Sequence, residues 1–315
     1  MTLVVDDLSV HVGRTEAVHQ LSFALEGGQR TGLIGESGSG KTLTALALMG
    51  LLPDGLSASG RVLYAGRDLL AMSERELCQI RGDRLAMIFQ EPMTALNPVM
   101  NIGDQVAEPL RLHRHMRARE ARIAVEQALE RVKLPDARAK MRAYPHQLSG
   151  GQRQRAMIAM ATACSPEFLI ADEPTTALDV TVQAQILDLL VGLVEERRSS
   201  LLLITHDLPV VANVCQRVLV LYGGHIVEEG RVHDVFSESQ HPYTRALLDA
   251  IPPLDDDLPN RKLRAIPGSV PGLGEFPPGC PFRSRCPRAD DACAQMPPLV
   301  ARAQDHRAAC WHPLL

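Results

Sequence analysis

The sequence predicts an α/β fold in which helices cover both faces of a parallel β-sheet, followed by a C-terminal extension of different character. Three observations indicate this fold. Apolar β-runs alternate with amphipathic helical segments, a glycine-rich loop joins an early strand to a helix, and the composition changes near Ala250. Strands that alternate with helices form parallel sheets because each connecting helix packs on one face of the sheet.

The first part of the chain has the pattern of short strands separated by glycines, and the middle part is mainly helical in pattern. The apolar spacing across residues 101–133 is that of helices with one buried face. In chain order, we expect strands at 3–5, 21–25 and 31–34, a helix at 41–51 before Pro53, a strand at 84–89, helical structure over 101–133 and a helix at 152–163.

The alternation is clearest in the second half of the chain. We expect strands at 167–171, 200–205 and 217–221, with helices at 180–195 and 207–214. After Ile251, proline, glycine and cysteine dominate, and neither a helical nor a strand period remains. The last part of the chain is therefore expected to be irregular.

Composition and charge argue against several classes of protein. The chain has 315 residues, 45% of them apolar, and a net charge of −4, so we expect a well-packed core and no nucleic-acid partner. The N-terminus lacks the basic start and apolar core of a signal peptide. The longest apolar run, residues 43–52, is shorter than the roughly 20 residues that span a bilayer. We therefore expect that the chain does not enter the membrane unaided.

A complete phosphate-binding loop pattern runs from Gly35 to Thr42. Its glycines allow backbone N–H groups to turn towards phosphate oxygens, and the following helix directs its positive end at the same anion. Lys41 would reach the β- and γ-phosphates, and the Thr42 hydroxyl would hold Mg²⁺. The nucleotide-binding candidates in this loop are Gly35, Ser37, Gly38, Ser39, Gly40, Lys41 and Thr42.

Two acidic residues end the apolar strand that begins at Phe168. Asp172 suits the coordination shell of Mg²⁺. Glu173 lies one residue further on, where a carboxylate can orient or deprotonate an attacking water. Taken alone, such a pair is also compatible with a solvated acidic turn.

A second glycine-rich stretch, residues 148–152, lies immediately before a predicted helix. A serine, two glycines and a helix N-terminus form an anion-binding edge. One nucleotide does not need two such edges from one chain, so the second edge indicates a nucleotide held by a neighbouring subunit. Taken alone, the stretch is also compatible with a simple capped helix start.

Taken in order, these motifs resemble those of the nucleotide-binding domain of ABC transporters. The order is the phosphate loop, Gln90 after a short strand, residues 148–152, the acidic strand end, residues 177–179 and residues 205–207. The resemblance covers about residues 1–235. It implies the ABC-cassette form of the P-loop NTPase fold, with an inserted helical subdomain at about residues 91–165, and ATP with Mg²⁺ as cofactors.

The resemblance also implies roles for single residues. Glu173, His206 and Gln90 match the catalytic carboxylate, the switch histidine and the glutamine that senses Mg²⁺ and water. Thr42, Gln90 and Asp172 are the implied Mg²⁺ site. The loop that closes on the ATP of the opposite subunit is matched by Ser149, Gly150, Gly151 and Gln152, and the aspartate at the dimer interface by Asp179.

One position departs from the family pattern. Val12 stands where the family usually places an aromatic ring that stacks on adenine. His11 could stack in its place, whereas Val12 offers only apolar contact. The preference for adenine over guanine is therefore left open.

Two further stretches resemble the oligopeptide and dipeptide importers. These are residues 89–98, around Gln90, and residues 241–248 within an expected C-terminal extension of residues 236–315. The resemblance implies an ATP-hydrolysing motor that couples hydrolysis to the import of short peptides. The alternatives are an importer motor for nickel or another peptide-like cargo and, less favoured, a soluble ABC ATPase.

The same resemblance implies the partners of the chain and its place in the cell. The partners are a second ABC ATPase subunit, either a copy or a paralogue, two transmembrane permease subunits and, through them, an extracytoplasmic substrate-binding protein. The chain would then lie at the cytoplasmic face of the cell membrane as a peripheral subunit.

Four cysteines, Cys280, Cys286, Cys293 and Cys310, crowd into the tail. Without an export signal, disulfides are not expected. Four thiolates suit an iron–sulfur cluster, but the spacing matches neither the ferredoxin run nor the close cysteine pairs of zinc ribbons. The importer resemblance implies a [4Fe–4S] cluster. A structural zinc ion, with His306 or His312 replacing a thiolate, and unligated thiols are the alternatives.

Overall fold

Two β-sheets form the framework of the chain. The computed structural model describes residues 1–176, 178–251 and 265–314. The smaller sheet is antiparallel and lies at the N-terminal end of the chain. Its strands, in spatial order, are β2 (Thr15–Leu25), β1 (Leu3–Val12), β4 (Leu56–Tyr64) and β5 (Arg67–Asp68).

The larger sheet has a parallel centre with an antiparallel edge. Its strands, in spatial order, are β11 (Val300–Ala303), β12 (His306–Ala308), β10 (His225–Arg231), β9 (Arg217–Tyr222), β3 (Arg30–Ile34), β8 (Ser200–Ile204), β7 (Phe168–Asp172) and β6 (Leu85–Ile88). The five strands from β9 to β6 run parallel. Because their carboxyl ends meet at one edge, the loops that follow β3, β6, β7 and β8 lie side by side, as at the ligand-binding edge of open α/β sheets.

Both faces of this sheet are covered, as the sequence predicts. Leu202 and Leu203 are neighbours on β8 and are both buried, but they belong to different apolar cores, one on each face of the sheet. This arrangement confirms the predicted α/β class.

Helices connect the strands and also form a separate layer in the middle of the chain. The helices from α3 to α7 pack against one another in the region where the helical subdomain is expected. Among the described residues, no helix is both long enough and apolar enough to cross a membrane. The helices are α1 (Lys41–Met49), α2 (Glu74–Ile80), α3 (Pro92–Ala95), α4 (Ile102–Arg114), α5 (Ala118–Arg131), α6 (Ala137–Lys140), α7 (Gly150–Thr162), α8 (Val180–Arg197), α9 (Leu208–Val214), α10 (Val232–Ser237) and α11 (Pro242–Asp249).

The structure corrects the expectation of an irregular tail. Strands β11 and β12 pair with each other, and β12 pairs with β10, so the extension continues the larger sheet. The sequence did not indicate these strands because each is only three or four residues long and β11 is exposed throughout, which leaves no apolar alternation. The helical region 101–133 is also divided, since α4 ends at Arg114 and the next residue, His115, has a left-handed conformation before α5 begins.

Candidate functional site

The phosphate loop follows β3 and is built around backbone that only glycine adopts easily. Gly35, Gly38 and Gly40 have φ angles of 156°, 79° and 99°. A Cβ on Gly35 would lie 2.1 Å from the carbonyl oxygen of Leu221 on β9, which leaves no room for a side chain. The loop therefore packs tightly against the sheet and leads directly into the N-terminus of α1, as the sequence predicts.

The side chain of Lys41 hydrogen-bonds to the backbone of its own loop. Its Nζ donates to the carbonyl oxygens of Gly35 at 2.8 Å and Glu36 at 3.0 Å. Burial lowers the pKa of Lys41, although the charges of Glu173, Asp172 and Glu36 act to raise it. Among the described residues, no carboxylate lies within ion-pair distance of Lys41. A buried ammonium that has only carbonyl partners is well suited to an incoming anion.

Asp172, at the end of β7, has the character of a metal ligand. It is buried, and its Oδ1 has no hydrogen-bond partner among the described residues. Burial raises the pKa of Asp172, although a hydrogen bond with the Thr42 hydroxyl acts to lower it. An unpartnered carboxylate oxygen beside a hydroxyl is the donor set that Mg²⁺ takes. Asp172 and Thr42 therefore fit the predicted Mg²⁺ site.

The three predicted catalytic residues come together at Glu173. Its carboxylate accepts a hydrogen bond from Gln90 Nε2 at 3.2 Å and lies 3.1 Å from His206 Nδ1. A third contact, from the Thr176 hydroxyl at 2.9 Å, was not expected from the sequence. His206 is 67% exposed at its side chain and can meet a bound ligand.

Glu173 is held in a strained and polar environment. Its φ angle of 43° lies in the left-handed region that non-glycine residues rarely adopt, and its amide donates to the Ile204 carbonyl oxygen at 2.9 Å. Burial acts to raise the pKa of Glu173, but hydrogen bonds from His206 and Thr176 and the charges of His206 and Lys41 hold the pKa below its ordinary value. The carboxylate is therefore ionised at neutral pH.

The second glycine-rich stretch forms a helix cap in the single chain. The Ser149 hydroxyl accepts from the amide of Gln152 at 3.3 Å, and the Gln152 side chain accepts from the amide of Ser149 at 3.2 Å. Gly151 is next to α8, since a Cβ there would lie 2.9 Å from Val182. Within the part of the chain that the structure describes, no hydrogen bond or ion pair joins residues 149–152 to the phosphate loop.

Asp179 and Val12 lie at the ends of secondary-structure elements. Asp179 caps α8 by accepting a hydrogen bond from the amide of Val182 at 2.9 Å. Ala177, which belongs to the same sequence motif, lies outside the described residues. Val12 ends β1 and pairs with Thr15, while His11 is opposite Glu16. Both Val12 and His11 are half-buried.

The sequence did not reveal contacts between the C-terminal extension and the phosphate loop. Arg285 pairs with Glu36 at 2.6 Å, and the Tyr243 hydroxyl accepts from the amide of Glu36 at 2.8 Å. The signal that could have indicated them is Glu36 itself. A carboxylate within a phosphate-binding loop repels phosphate unless a cation neutralises it.

The four tail cysteines line one small pocket together with His312. Burial raises the pKa of the Cys280 thiol to about 11 and also raises the pKa values of Cys286 and Cys310. His306 does not line this pocket. Its Nε2 lies 2.7 Å from the buried carboxylate of Glu228. Among the described residues, ligand atoms within 4.8 Å of one another are offered by Asp290, Cys293 and His312.

Known proteins share both the site region and the extension. Residues 18–176 match the family described as ABC transporter, and residues 227–293 match the C-terminal region of oligopeptide/dipeptide transporters. The chain is 48% identical to the oligopeptide transport ATP-binding protein OppD of Salmonella typhimurium, over 99% of this chain and 94% of that protein. It is 47% identical to the oligopeptide transport ATP-binding protein AppD of Bacillus subtilis, over 94% and 90% of the two chains.

Solved structures show the same fold. A dimeric post-hydrolysis state of the ATP-binding cassette MJ0796, bound to ADP and Pi, superposes with a TM-score of 0.65 at 28% identity, over 74% of this chain and 99% of that one. CbiO1 of Clostridium perfringens, part of the transporter complex CbiONQ, gives a TM-score of 0.64 at 27% identity, over 75% and 90% of the two chains.

Proposed function

This chain belongs to the ABC-transporter ATP-binding subunits of the oligopeptide/dipeptide type, and on that premise we propose that it is the ATP-hydrolysing motor of a membrane importer for short peptides. The observation that carries the proposal is the convergence of three groups at one sheet edge. Lys41 closes the phosphate loop, Asp172 offers an unpartnered buried oxygen, and Glu173 is held by Gln90 and His206.

In this proposal the phosphate loop binds the triphosphate of ATP. Its backbone N–H groups and the N-terminus of α1 face the anion, and Lys41 exchanges its carbonyl partners for phosphate oxygens. Asp172, Thr42 and Gln90 are the residues that would hold Mg²⁺. When bound, Mg²⁺ neutralises charge that develops on the transferred phosphoryl group.

Glu173 orients the attacking water and accepts its proton. Its low pKa keeps it ionised, so it is a base at neutral pH. Gln90 and Thr176 fix one carboxylate oxygen, and His206 contacts the other. With both oxygens constrained, the carboxylate keeps one orientation, which is what positioning a water requires.

The site is completed by a second ATPase subunit, either a copy or a paralogue. Ser149 and Gly151 make no hydrogen bond with the phosphate loop of their own chain in the described residues, so they are available to close on the nucleotide of a neighbour. The dimeric state of the similar cassette supports this arrangement. The specific ATPase activity of the purified chain should therefore rise with protein concentration, and constant full activity at low concentration would contradict the shared site.

Permease subunits are proposed to dock on the segment after Gln90. Met93 in α3 and Val99 just beyond it are exposed apolar side chains, Val99 by 83%. Exposed apolar side chains at the start of the helical layer, close in sequence to the nucleotide-sensing glutamine, are suited to contact a partner helix. A cysteine placed at Met93 should cross-link to a permease in the assembled complex. Equal cross-linking from Val4, an exposed control on β1, would argue against docking here.

Cargo import is tested by transport in cells. Cells that lack the gene are complemented with the wild-type chain or with Lys41→Ala, and uptake of radiolabelled trialanine and of radioactive nickel is measured. Loss of trialanine uptake in the Lys41→Ala cells supports peptide import. Loss of nickel uptake alone would support the alternative cargo, and no change in either uptake would refute an importer of these substrates.

We also propose that Cys280, Cys286, Cys293 and Cys310 hold a [4Fe–4S] cluster, which would stabilise the extension. Support comes from the shared pocket, together with the usual set of four thiolate ligands. A single tetrahedral zinc ion requires sulfurs about 3.8 Å apart at Zn–S distances of about 2.3 Å. No three of these thiols lie within 4.8 Å of one another, so as placed they do not form a zinc site from three or four sulfurs.

Metal analysis separates the proposed cluster from zinc. Anaerobically purified protein should be brown and contain about four irons per chain. The colour should be lost in Cys286→Ser and kept in Cys78→Ser, a control at an exposed cysteine outside the tail. Colourless protein with one zinc, bound by a set that includes Cys293 and His312, would refute the cluster.

A further inference from the structure

The C-terminal extension reaches the phosphate loop through Arg285. The guanidinium donates to both carboxylate oxygens of Glu36, at 2.6 and 3.1 Å. Its remaining donors reach the Pro267 carbonyl oxygen at 2.8 Å and the Tyr222 hydroxyl at 3.1 Å. Arg285 is only 7% exposed and the Glu36 side chain is 26% exposed, so this is a partly buried, two-point ion pair with the guanidinium fixed on several sides.

Glu36 is part of the loop that surrounds the proposed phosphate position. It follows Gly35 directly, and its carbonyl oxygen accepts from Lys41 Nζ at 3.0 Å. Its amide is turned to the extension, because it donates to the Tyr243 hydroxyl at 2.8 Å. A second negative charge so close to a triphosphate would oppose binding if it were not neutralised.

The groups that hold Glu36 are themselves rigidly packed. Tyr243 is fully buried, and its ring lies 4.5 Å from that of Tyr222 and 5.3 Å from that of Phe282. Arg285 lies over the Tyr222 and Phe282 rings at 5.8 and 5.9 Å. This aromatic cluster joins the end of β9 to the extension, so the guanidinium is presented to the loop before any nucleotide arrives.

We infer that Arg285 is a positioning residue for ATP binding: it neutralises Glu36 and holds this carboxylate away from the phosphates, so that the C-terminal extension sets the affinity of the loop for ATP. The inference rests on the phosphate loop being the ATP site proposed above. It gives the extension a direct role at the nucleotide, in addition to any metal that its cysteines hold.

The test is the affinity of the full-length chain for Mg–ATP, measured by calorimetry. A unit charge about 10 Å from the phosphates, at an effective dielectric constant of about 20, changes affinity by roughly tenfold, so Arg285→Gln should bind ATP about tenfold more weakly. Removing the charge that Arg285 opposes should restore binding. The double variant Arg285→Gln, Glu36→Gln is therefore expected to recover most of the lost affinity.

Three further variants control the result. Arg283→Gln changes a neighbouring arginine whose side chain, among the described residues, donates only to the Pro278 carbonyl oxygen, and it should bind ATP as the wild type does. Arg285→Lys keeps the charge and is expected to retain most of the affinity, which tests the inference even if Arg285→Gln does not fold. Lys41→Ala should lose ATP binding and reports on the phosphate loop itself.

The outcomes separate this inference from the proposed function. Unchanged ATP affinity in folded Arg285→Gln, or a double variant that binds ATP as weakly as Arg285→Gln, would overturn the role of Arg285. The ATP site itself would still stand if Lys41→Ala fails to bind ATP. A folded Arg285→Lys variant with about tenfold weaker ATP binding would overturn it too. The positive charge would then be present without restoring the affinity, so charge would not explain the effect of Arg285. Wild-type affinity in Lys41→Ala would refute the ATP site, and the inference with it.

Discussion

Replacing Glu173 by glutamine should stop ATP hydrolysis while leaving ATP bound. One carboxylate oxygen accepts from Gln90 and Thr176, and the other lies next to His206 Nδ1. A glutamine can present its carbonyl oxygen to the first two donors and keep its side-chain amide next to His206 Nδ1. The local geometry is therefore kept, and the change removes only the charge and basicity of residue 173.

The expected loss is that of a general base. Such groups contribute roughly 10²- to 10⁴-fold, which corresponds to about 3–5 kcal/mol of activation free energy. The contacts of Lys41 with the loop do not involve Glu173, and one negative charge near the phosphates is removed. ATP affinity should consequently stay the same or increase.

Phosphate release by the assembled transporter measures the first effect, and calorimetry with Mg–ATP measures the second. Thr176→Val serves as a control, since it removes one hydrogen bond to Glu173 but leaves the base in place, and it should retain much of the activity. Hydrolysis by Glu173→Gln at the wild-type rate would refute the assignment. Loss of ATP binding in this variant would show that Glu173 acts in binding instead.

Three further predictions follow from the structure. Gly35→Ala should destabilise the chain by roughly 3 kcal/mol or more, because the added Cβ meets the Leu221 carbonyl oxygen. Gly38→Ala, with open space around its Cβ, should destabilise it by only about 1–2 kcal/mol, and urea denaturation measures both. Burial lowers the pKa of His241 from 6.5 to about 3, so the unfolded state binds the proton first and stability falls as the pH drops below 6.5. Between pH 7 and pH 5, the free energy of unfolding of His241→Asn should therefore fall by about 2 kcal/mol less than that of the wild type. Equal decreases in the two proteins would contradict this. Asp172→Asn should stabilise the nucleotide-free chain and abolish the effect of Mg²⁺ on ATP affinity; a variant that still responds to Mg²⁺ would exclude Asp172 as the ligand.

The sequence was sufficient for the features that depend on local pattern. The phosphate loop is predictable because a fixed spacing of glycines and Lys41 is needed to surround phosphate. The parallel sheet is predictable because buried strand segments such as residues 168–171 are apolar throughout. The sheet topology then explains why Gln90, Glu173 and His206 meet, since each follows the carboxyl end of a neighbouring parallel strand.

Features without a local pattern were not predicted. Strand β4 has an exposed first half around Gly60, so its apolar alternation is too weak to recognise. Strand β11 is exposed throughout and is held by its pairing with β12 and by a hydrogen bond from Arg302 to the Cys310 carbonyl oxygen. The contact of Arg285 with Glu36 joins residues 249 positions apart. Glu36 indicates that a cation is needed beside the phosphate loop, but no local pattern identifies Arg285 as that cation.

The charges around Lys41 show how a single cation can be placed among three carboxylates and still bind a polyanion. The charges of Glu36, Asp172 and Glu173 all act on Lys41, so the site would be too negative for a triphosphate if each carboxylate kept a free charge. Glu36 is neutralised by Arg285, and Glu173 is tied to its three partners. Asp172 alone keeps a buried oxygen without a hydrogen-bond partner in the described residues, and it is the carboxylate left to take a divalent cation. On this basis the cation that arrives with ATP completes the charge balance of the site, and the extension supplies the part of that balance that the cassette lacks.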